Sequence, residues 1–190
     1  MFSLSFSLFW IIVVILVLLI AIYITIYNSL QKSKVYIDES WSQIDVQLKR
    51  RNDLIPNLVE TTKGYAKHEK ETLENVVQLR NQLNNVPTND HTQTLKVSNQ
   101  ISDALKTIFA LSENYPDLKA NQNFLKLQEE LTNTENKIAY SRQLYNSSAA
   151  LYDQKILTFP SNLVAHIHGF KKVDYLQTSE AEKEVPKVKF

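Results

Sequence analysis

The N-terminal stretch from Met1 to Gln31 contains no charged side chain, and it constrains the fold more than any other part of the sequence. Within it, Leu8 to Tyr27 is almost wholly apolar. At about 1.5 Å per residue, a helix of about 20 residues spans the roughly 30 Å hydrocarbon core of a bilayer. The sequence therefore predicts an N-terminal segment, residues 1–31, with a single transmembrane helix at residues 8–27.

A cleavable signal peptide is the alternative interpretation of this segment. It would begin with basic residues, limit its apolar part to about 7–15 residues and end in small residues. No Lys or Arg precedes the apolar stretch, which ends in Ile, Thr, Tyr and Asn. This favours an uncleaved anchor, with Trp10 at one membrane interface and Tyr23 and Tyr27 at the other.

The orientation of the anchor is predicted from the basic residues that follow it: Lys32, Lys34, Lys49, Arg50 and Arg51. Cytoplasmic flanks of membrane helices carry an excess of Lys and Arg. We therefore expect the C-terminal domain in the cytoplasm and the N-terminus outside, although Asp38 and Glu39 reduce the bias.

Heptad patterns follow the anchor. Alternating steps of four and three select Ile37, Trp41, Ile44, Leu48, Arg51, Ile55, Leu58, Thr62 and Tyr65, and later Phe124, Gln128, Leu131, Glu135, Ile138, Arg142, Tyr145, Ala149, Tyr152 and Ile156. Such seams are typical of helices that pack lengthwise. They predict an all-α fold, with the transmembrane helix followed by an antiparallel bundle of long helices, of the four-helix-bundle type, over residues 32–170.

Further helices are predicted at Glu69 to Leu83 and Thr92 to Ser112, with a short capping helix within residues 160–170. We expect a kink near Pro56, which lacks a backbone donor. The helix after Pro116 is expected to be the longest, at about 55–60 Å. Residues 171–190 mix Lys and Glu with few apolar residues, which predicts a disordered polar tail.

Several chemistries find no support in the sequence. The formal net charge of +1 gives no reason to expect nucleic acid, and the absence of cysteine excludes disulfides and thiolate sites. Only Gly64 and Gly169 occur, too few for a phosphate-binding loop. His68 begins an incomplete zinc motif, and His166 and His168 point to different helix faces. No catalytic, cofactor-binding or metal-binding residues are predicted.

Three segments carry a family resemblance: Trp41 to Glu69, Tyr115 to Asn146, and FPSNLVA at Phe159 to Ala165. Together with the preceding span, they closely resemble the bacterial LemA family over about residues 41–170. The resemblance implies a small protein anchored in the bacterial inner membrane, with a bundle of long helices and no established enzymatic activity. Ser147, Ser148 and Ala149 depart from the family pattern, so any site there is in doubt.

Charged residues interrupt both seams, and these are the candidate site residues: Arg51, Glu135 and Arg142. We expect Arg51 and Glu135 to pair and fix the helix register, supported by Asp53, Asn57 or Asn136. The alternative is that their charged ends reach solvent while their stems pack. The aromatic residues Tyr140, Tyr145 and Tyr152 are expected to pack in the core.

Three classes of function remain open. A non-enzymatic scaffold or adaptor for unidentified protein partners is favoured, because long helical faces suit assembly. A self-assembling homo-oligomer that organises the membrane is the second possibility, and a metal-dependent enzyme built in the bundle core is the third. Besides the bilayer spanned by the anchor, the basic residues Lys49, Arg50, Lys63, Lys67 and Lys70 could face anionic lipid, but interleaved acidic residues favour a solvated surface.

Overall fold

The computed structural model describes residues 2–176, which form six α-helices. These are α1 (Phe2–Lys63), α2 (Lys70–Asn84), α3 (His91–Ser112), α4 (Pro116–Lys119), α5 (Gln122–Leu157) and α6 (Ser161–Ile167). No strand occurs within residues 2–176. The predicted all-α fold class is confirmed.

The observed ends of α2 and α3 lie close to the predicted ones, whereas the single turn α4 was not predicted. Pro116 begins α4, where the missing proline N–H leaves no helical bond unmade. Residues 171–176 have no regular secondary structure. The rest of the predicted tail, residues 177–190, lies outside the described residues.

The prediction that the helix after Pro116 is the longest is wrong. Helix α1 contains 62 residues, whereas α5 contains 36. Helix α1 combines the apolar stretch with the first heptad seam, and it continues through Pro56. Its apolar part is long enough to cross a membrane, and most of its side chains from Leu8 to Ile24 are exposed.

The continuation of α1 through Pro56 has a visible partner outside the helix. A proline at position 56 cannot donate to the carbonyl oxygen of Asn52, four residues earlier. Arg80 of α2 donates from Nε to that oxygen at 3.0 Å. The Asn52 amide also donates to Asn84 Oδ1 at 2.6 Å. The Arg80 side chain thus replaces the lost backbone bond, and the bond between Asn52 and Asn84 adds a second link between α1 and α2.

The chain divides into two compact units. The first comprises Met1–Trp41 and Leu144–Tyr175, and the second contains Ser42–Gln143. The core of the second unit draws residues from α1 to α5: Ile55, Leu58, Leu73, Val76, Val97, Ile101, Leu105, Ile108, Leu118, Phe124 and Leu131. Fully burying such a side chain contributes about 1.5–3 kcal/mol, so this cluster is the main source of the second unit's stability.

In the first unit, α5 and α6 pack against α1. Leu30 of α1 is buried with Val164 and Ala165 of α6. Lys155 of α5 donates from Nζ to the hydroxyls of Ser29 at 2.9 Å and Ser33 at 2.7 Å. A partly buried ammonium therefore satisfies two α1 hydroxyls beside this small apolar core.

Most seam positions are buried as the heptad pattern predicts, among them Ile44, Leu48, Ile55, Leu58, Leu131 and Ile138. Tyr65 is 42% exposed because it follows the end of α1. Tyr145 and Tyr152 are buried as expected. The expectation for Tyr140 is wrong: it is 67% exposed, since it lies outside the four-and-three seam of α5.

Candidate functional site

A buried polar network in the second unit joins three helices. Arg51 lies on α1 and is 0% exposed, although arginine is among the residues least often fully buried. Its Nη1 donates to Glu135 Oε1 of α5 at 2.9 Å. The Glu135 side chain is 28% exposed, so one end of the ion pair reaches the surface of the unit while the other does not.

Ser102 of α3 closes a triangle with this ion pair. Its hydroxyl donates to Glu135 Oε2 at 2.7 Å and accepts from Arg51 Nη1 at 2.9 Å. Both carboxylate oxygens of Glu135 therefore have donors. Charge-assisted hydrogen bonds of this kind are about twice as strong as neutral ones.

Ser98, one turn earlier on α3, joins the two arginines of the network. Its Oγ accepts from Arg51 Nη2 at 2.9 Å and from Arg142 Nη2 at 3.0 Å. A hydroxyl oxygen has two acceptor lone pairs, so both bonds can form together. Ser98 is itself 0% exposed. Helices α1, α3 and α5 are thus tied together at one level by directional bonds.

The structure brings together all three seam residues selected from the sequence, Arg51 and Glu135 by direct contact and Arg142 through Ser98. The supporting residues were predicted incorrectly. Asp53, Asn57 and Asn136 are exposed, and Asp53 lies 4.0 Å from Lys49 instead. These three positions fall outside the buried stripe of their helices.

Ser98 and Ser102 were not among the site residues predicted from the sequence. Ser98 lies between Val97 and Ile101 in the buried stripe of α3, and Ser102 follows one turn later. Two small hydroxyl residues four apart beside an apolar stripe are a usable signal, because each can accept from a charge on a facing helix. Helix spacing alone does not show which charge they face.

Both terminal nitrogens of Arg51 have acceptors, whereas its buried Nε has no hydrogen-bond partner among the described residues. Guanidinium donors meet carboxylate and hydroxyl acceptors, and the hydroxyls lie between charged partners. Slipping any one of these helices would remove at least one acceptor from the buried Arg51, so we expect the network to favour one register. Within residues 2–176, no three His, Asp or Glu side chains cluster as a metal site requires.

Two buried tyrosines in the first unit are held in the neutral form. Burial raises the pKa of the Tyr145 phenol, and Asp174, Asp38 and Asp153 raise it further. Burial, followed by the same effect of Asp153 and Asp38, also raises the pKa of Tyr152. Both rings serve as packing residues, as in the edge contact of Tyr145 with Trp41 at 6.1 Å between centroids.

The predicted membrane-interface residues differ in their surroundings. Trp10 is 53% exposed and makes edge contacts with Phe6 and Phe9. The Tyr23 hydroxyl is hydrogen bonded to Nε2 of His168 at 2.7 Å. The Tyr27 ring lies against the same imidazole, with 4.6 Å between centroids. The two tyrosines are therefore part of a protein contact as well as candidates for the interface.

Comparison with known proteins gives consistent matches. The protein-family model described as LemA family matches residues 40–190 of this chain. Protein LemA of Metamycoplasma hominis is 31% identical over 156 residues, which covers 82% of this chain and 71% of that protein. Magnetosome protein MamQ of Magnetospirillum gryphiswaldense and magnetosome protein MamQ 1 of Paramagnetospirillum magneticum are each 33% identical over 79 residues. Those matches cover 42% of this chain and 29% of each relative.

Proposed function

The chain belongs to the LemA family, and on that premise we propose that it is a non-enzymatic, single-pass protein of the bacterial inner membrane whose helical domain acts as a scaffold or adaptor. The apolar part of α1 is the membrane anchor in this proposal. The second unit then presents helix faces to other proteins.

The observation that carries the proposal is an apolar groove in the second unit, between the end of α1 and α2. It has a volume of about 610 Å³, and its apolar lining consists of Val59, Ala66, Leu73 and Val77. Charged residues border it: Glu60, Lys63, Lys67, Lys70 and Glu74. A groove of this kind suits an amphipathic partner helix with acidic residues opposite Lys63 and Lys67.

Rigidity supports the same function. The Arg51 network links α1 to α3 and α5 by hydrogen bonds. Arg80 and Asn84 join α2 to α1 beside Pro56. A preformed surface loses less conformational freedom on binding than one that must order itself, so a partner binds it more tightly.

A photo-crosslinking amino acid at Gln78 tests the proposal in the full-length protein in its own membrane. Gln78 lines the groove and is exposed, so its replacement leaves the core intact. The matched control is Glu129, which is exposed on α5. We expect one reproducible protein adduct from position 78 and not from position 129. The same adducts from both positions, or none from position 78, would refute the groove as the partner site.

The same experiment addresses self-assembly. An adduct from position 78 with the mass of two copies of this chain would favour a homo-oligomeric membrane organiser over an adaptor. Light scattering on the gently extracted particle then gives its stoichiometry. A homogeneous high-order particle containing this chain alone would point to the same conclusion.

The proposed orientation places the helical domain in the cytoplasm, supported by Lys32 and Lys34 directly after the apolar stretch. Because the chain has no cysteine, a single introduced one is a clean probe. We expect a membrane-impermeant maleimide to label Ser3→Cys in intact cells and Glu71→Cys only after permeabilisation. The reverse pattern would overturn the orientation while leaving the anchor in place.

A further inference from the structure

Helix α6 and the turn before it expose large apolar side chains on one face. Phe159 is 78% exposed, Leu163 56% and Ile167 68%. Their spacing of four residues aligns Leu163 and Ile167 on one side of the helix. Val164 and Ala165, on the other side, are buried at 5% and 1%. The helix therefore has two apolar sides, one covered by protein and one uncovered.

The position of α6 along α1 indicates what covers the free side. His168 contacts Tyr23 and Tyr27, and Val164 packs with Leu30. From Tyr23 to Leu30, α1 advances about 10 Å. This interval contains the end of the apolar stretch at Tyr27 and the first residues beyond it. Helix α6 thus lies beside α1 where a spanning helix leaves the hydrocarbon core.

The end of α6 brings positive charge to the same level. Gly169 has a φ of 68° and donates to His166 O at 3.2 Å, and the next residue, Phe170, donates to Ala165 O at 3.0 Å. This pair of bonds is a Schellman turn, which favours glycine in the left-handed position. Lys171 and Lys172 follow this turn and line a groove of about 460 Å³ together with Lys34 and one carboxylate, Asp38, so basic residues predominate in its lining.

From these contacts we infer a second membrane contact in the same protein, in which Phe159, Leu163 and Ile167 enter the boundary between headgroups and acyl chains of an anionic bilayer. Lys34, Lys171 and Lys172 face the lipid phosphates. The inference rests on the proposed anchoring by α1. A bilayer is the occupant because the uncovered face adjoins the apolar stretch of α1, and because the lysines beside it match anionic headgroups.

The test uses full-length protein in vesicles of phosphatidylcholine and phosphatidylglycerol, with an environment-sensitive fluorophore on a single introduced cysteine. Quenching by lipids that carry a nitroxide on the acyl chain reports contact with the bilayer. We expect quenching for Ile167→Cys, at shallower depth than for Leu18→Cys in the apolar stretch. The matched control Glu39→Cys, exposed on α1 beyond the contact, should remain unquenched.

The outcomes separate the two proposals. Loss of quenching at both positions 18 and 167 would refute the anchor itself. Quenching at position 18 without quenching at position 167 would overturn only the α6 contact. A probe at position 167 that is shielded from water yet untouched by lipid quenchers would indicate a protein cover, such as a second copy, and would also overturn it.

A charge substitution tests the role of the lysines. In anionic vesicles, replacing Lys171 or Lys172 with glutamine should lower the ratio of membrane-bound to unbound α6 by about fivefold per lysine. This ratio is read from the nitroxide quenching at position 167. The same replacements should change little in neutral phosphatidylcholine vesicles. Lys137→Gln, exposed on α5 in the second unit, is the matched control and should have no effect. Equal losses in both kinds of vesicle would exclude headgroup recognition by these lysines.

Discussion

Replacing Glu135 with leucine removes the carboxylate partner of Arg51 while keeping an apolar stem of similar size. Removing one member of a buried ion pair costs about 3–5 kcal/mol, because the remaining charge stays buried. Ser98 and Ser102 still accept from Arg51, and Glu135 itself is 28% exposed. We therefore expect a loss at the lower end, about 3 kcal/mol in the free energy of unfolding.

The double replacement Arg51→Met with Glu135→Leu distinguishes an uncompensated charge from lost packing. An apolar pair of similar volume carries no buried charge, and such replacements are often close to neutral. We expect the double variant to recover to within about 1 kcal/mol of the parent protein. With the single variant Arg51→Met added, the four proteins form a double-mutant cycle, and its coupling free energy measures the interaction of the pair.

The assay is urea unfolding of the full-length protein in detergent micelles, followed by circular dichroism at 222 nm. Glu129→Leu is the matched control, because Glu129 is an exposed glutamate on the same helix. It should change the free energy of unfolding by no more than about 0.5 kcal/mol. A loss below about 1 kcal/mol for Glu135→Leu would mean that the pair behaves as a surface ion pair, and the register argument would fail.

Three further substitutions test the left-handed glycine after α6, the arginine beside Pro56 and a buried tyrosine. Gly169→Ala should lower the free energy of unfolding by about 1–2 kcal/mol, through the left-handed backbone alone, because a Cβ there meets nothing within 4 Å; an unchanged urea midpoint would contradict this. Arg80→Leu should lower the free energy of unfolding by about 1–3 kcal/mol, because it leaves the Asn52 carbonyl without its donor. In a Pro56→Ala background, which restores the backbone donor, the loss should be markedly smaller. Equal losses in both backgrounds would show that Arg80 does not replace the missing backbone bond. The neutral Tyr145 phenol should stabilise the fold fully below its unfolded pKa of about 10 and progressively less above it, because its folded pKa is raised. Tyr145→Phe should therefore flatten the loss of unfolding free energy above a pH of about 10. An unaltered dependence of stability on pH would contradict this.

The sequence predicts those parts of the fold that depend on periodicity. The apolar stretch of α1 and both heptad seams repeat at spacings that one chain segment carries by itself, so their helices can be read without a partner. The positions of Arg51 and Glu135 in those seams were enough to suggest that they meet. The sequence of a single helix does not show which residues of the other helices it contacts.

The features that the sequence did not predict depend on groups distant along the chain. Ser98 and Ser102 become network residues only when α3 is placed beside α1 and α5. Arg80, which lies on another helix, satisfies the carbonyl that Pro56 leaves without a donor, and nothing in the sequence around Pro56 indicates this partner. Local propensity does not contain such nonlocal hydrogen bonds.

The contact between Arg80 and the carbonyl of Asn52 also constrains the order in which sequences of this kind can change. Replacing Pro56 first restores a backbone donor, so the arginine then becomes free to vary. Replacing Arg80 first leaves a buried carbonyl without its donor and lowers stability at once. Descendants that have lost the arginine should therefore have lost the proline as well. Those that have lost the proline can have arginine or another residue at position 80.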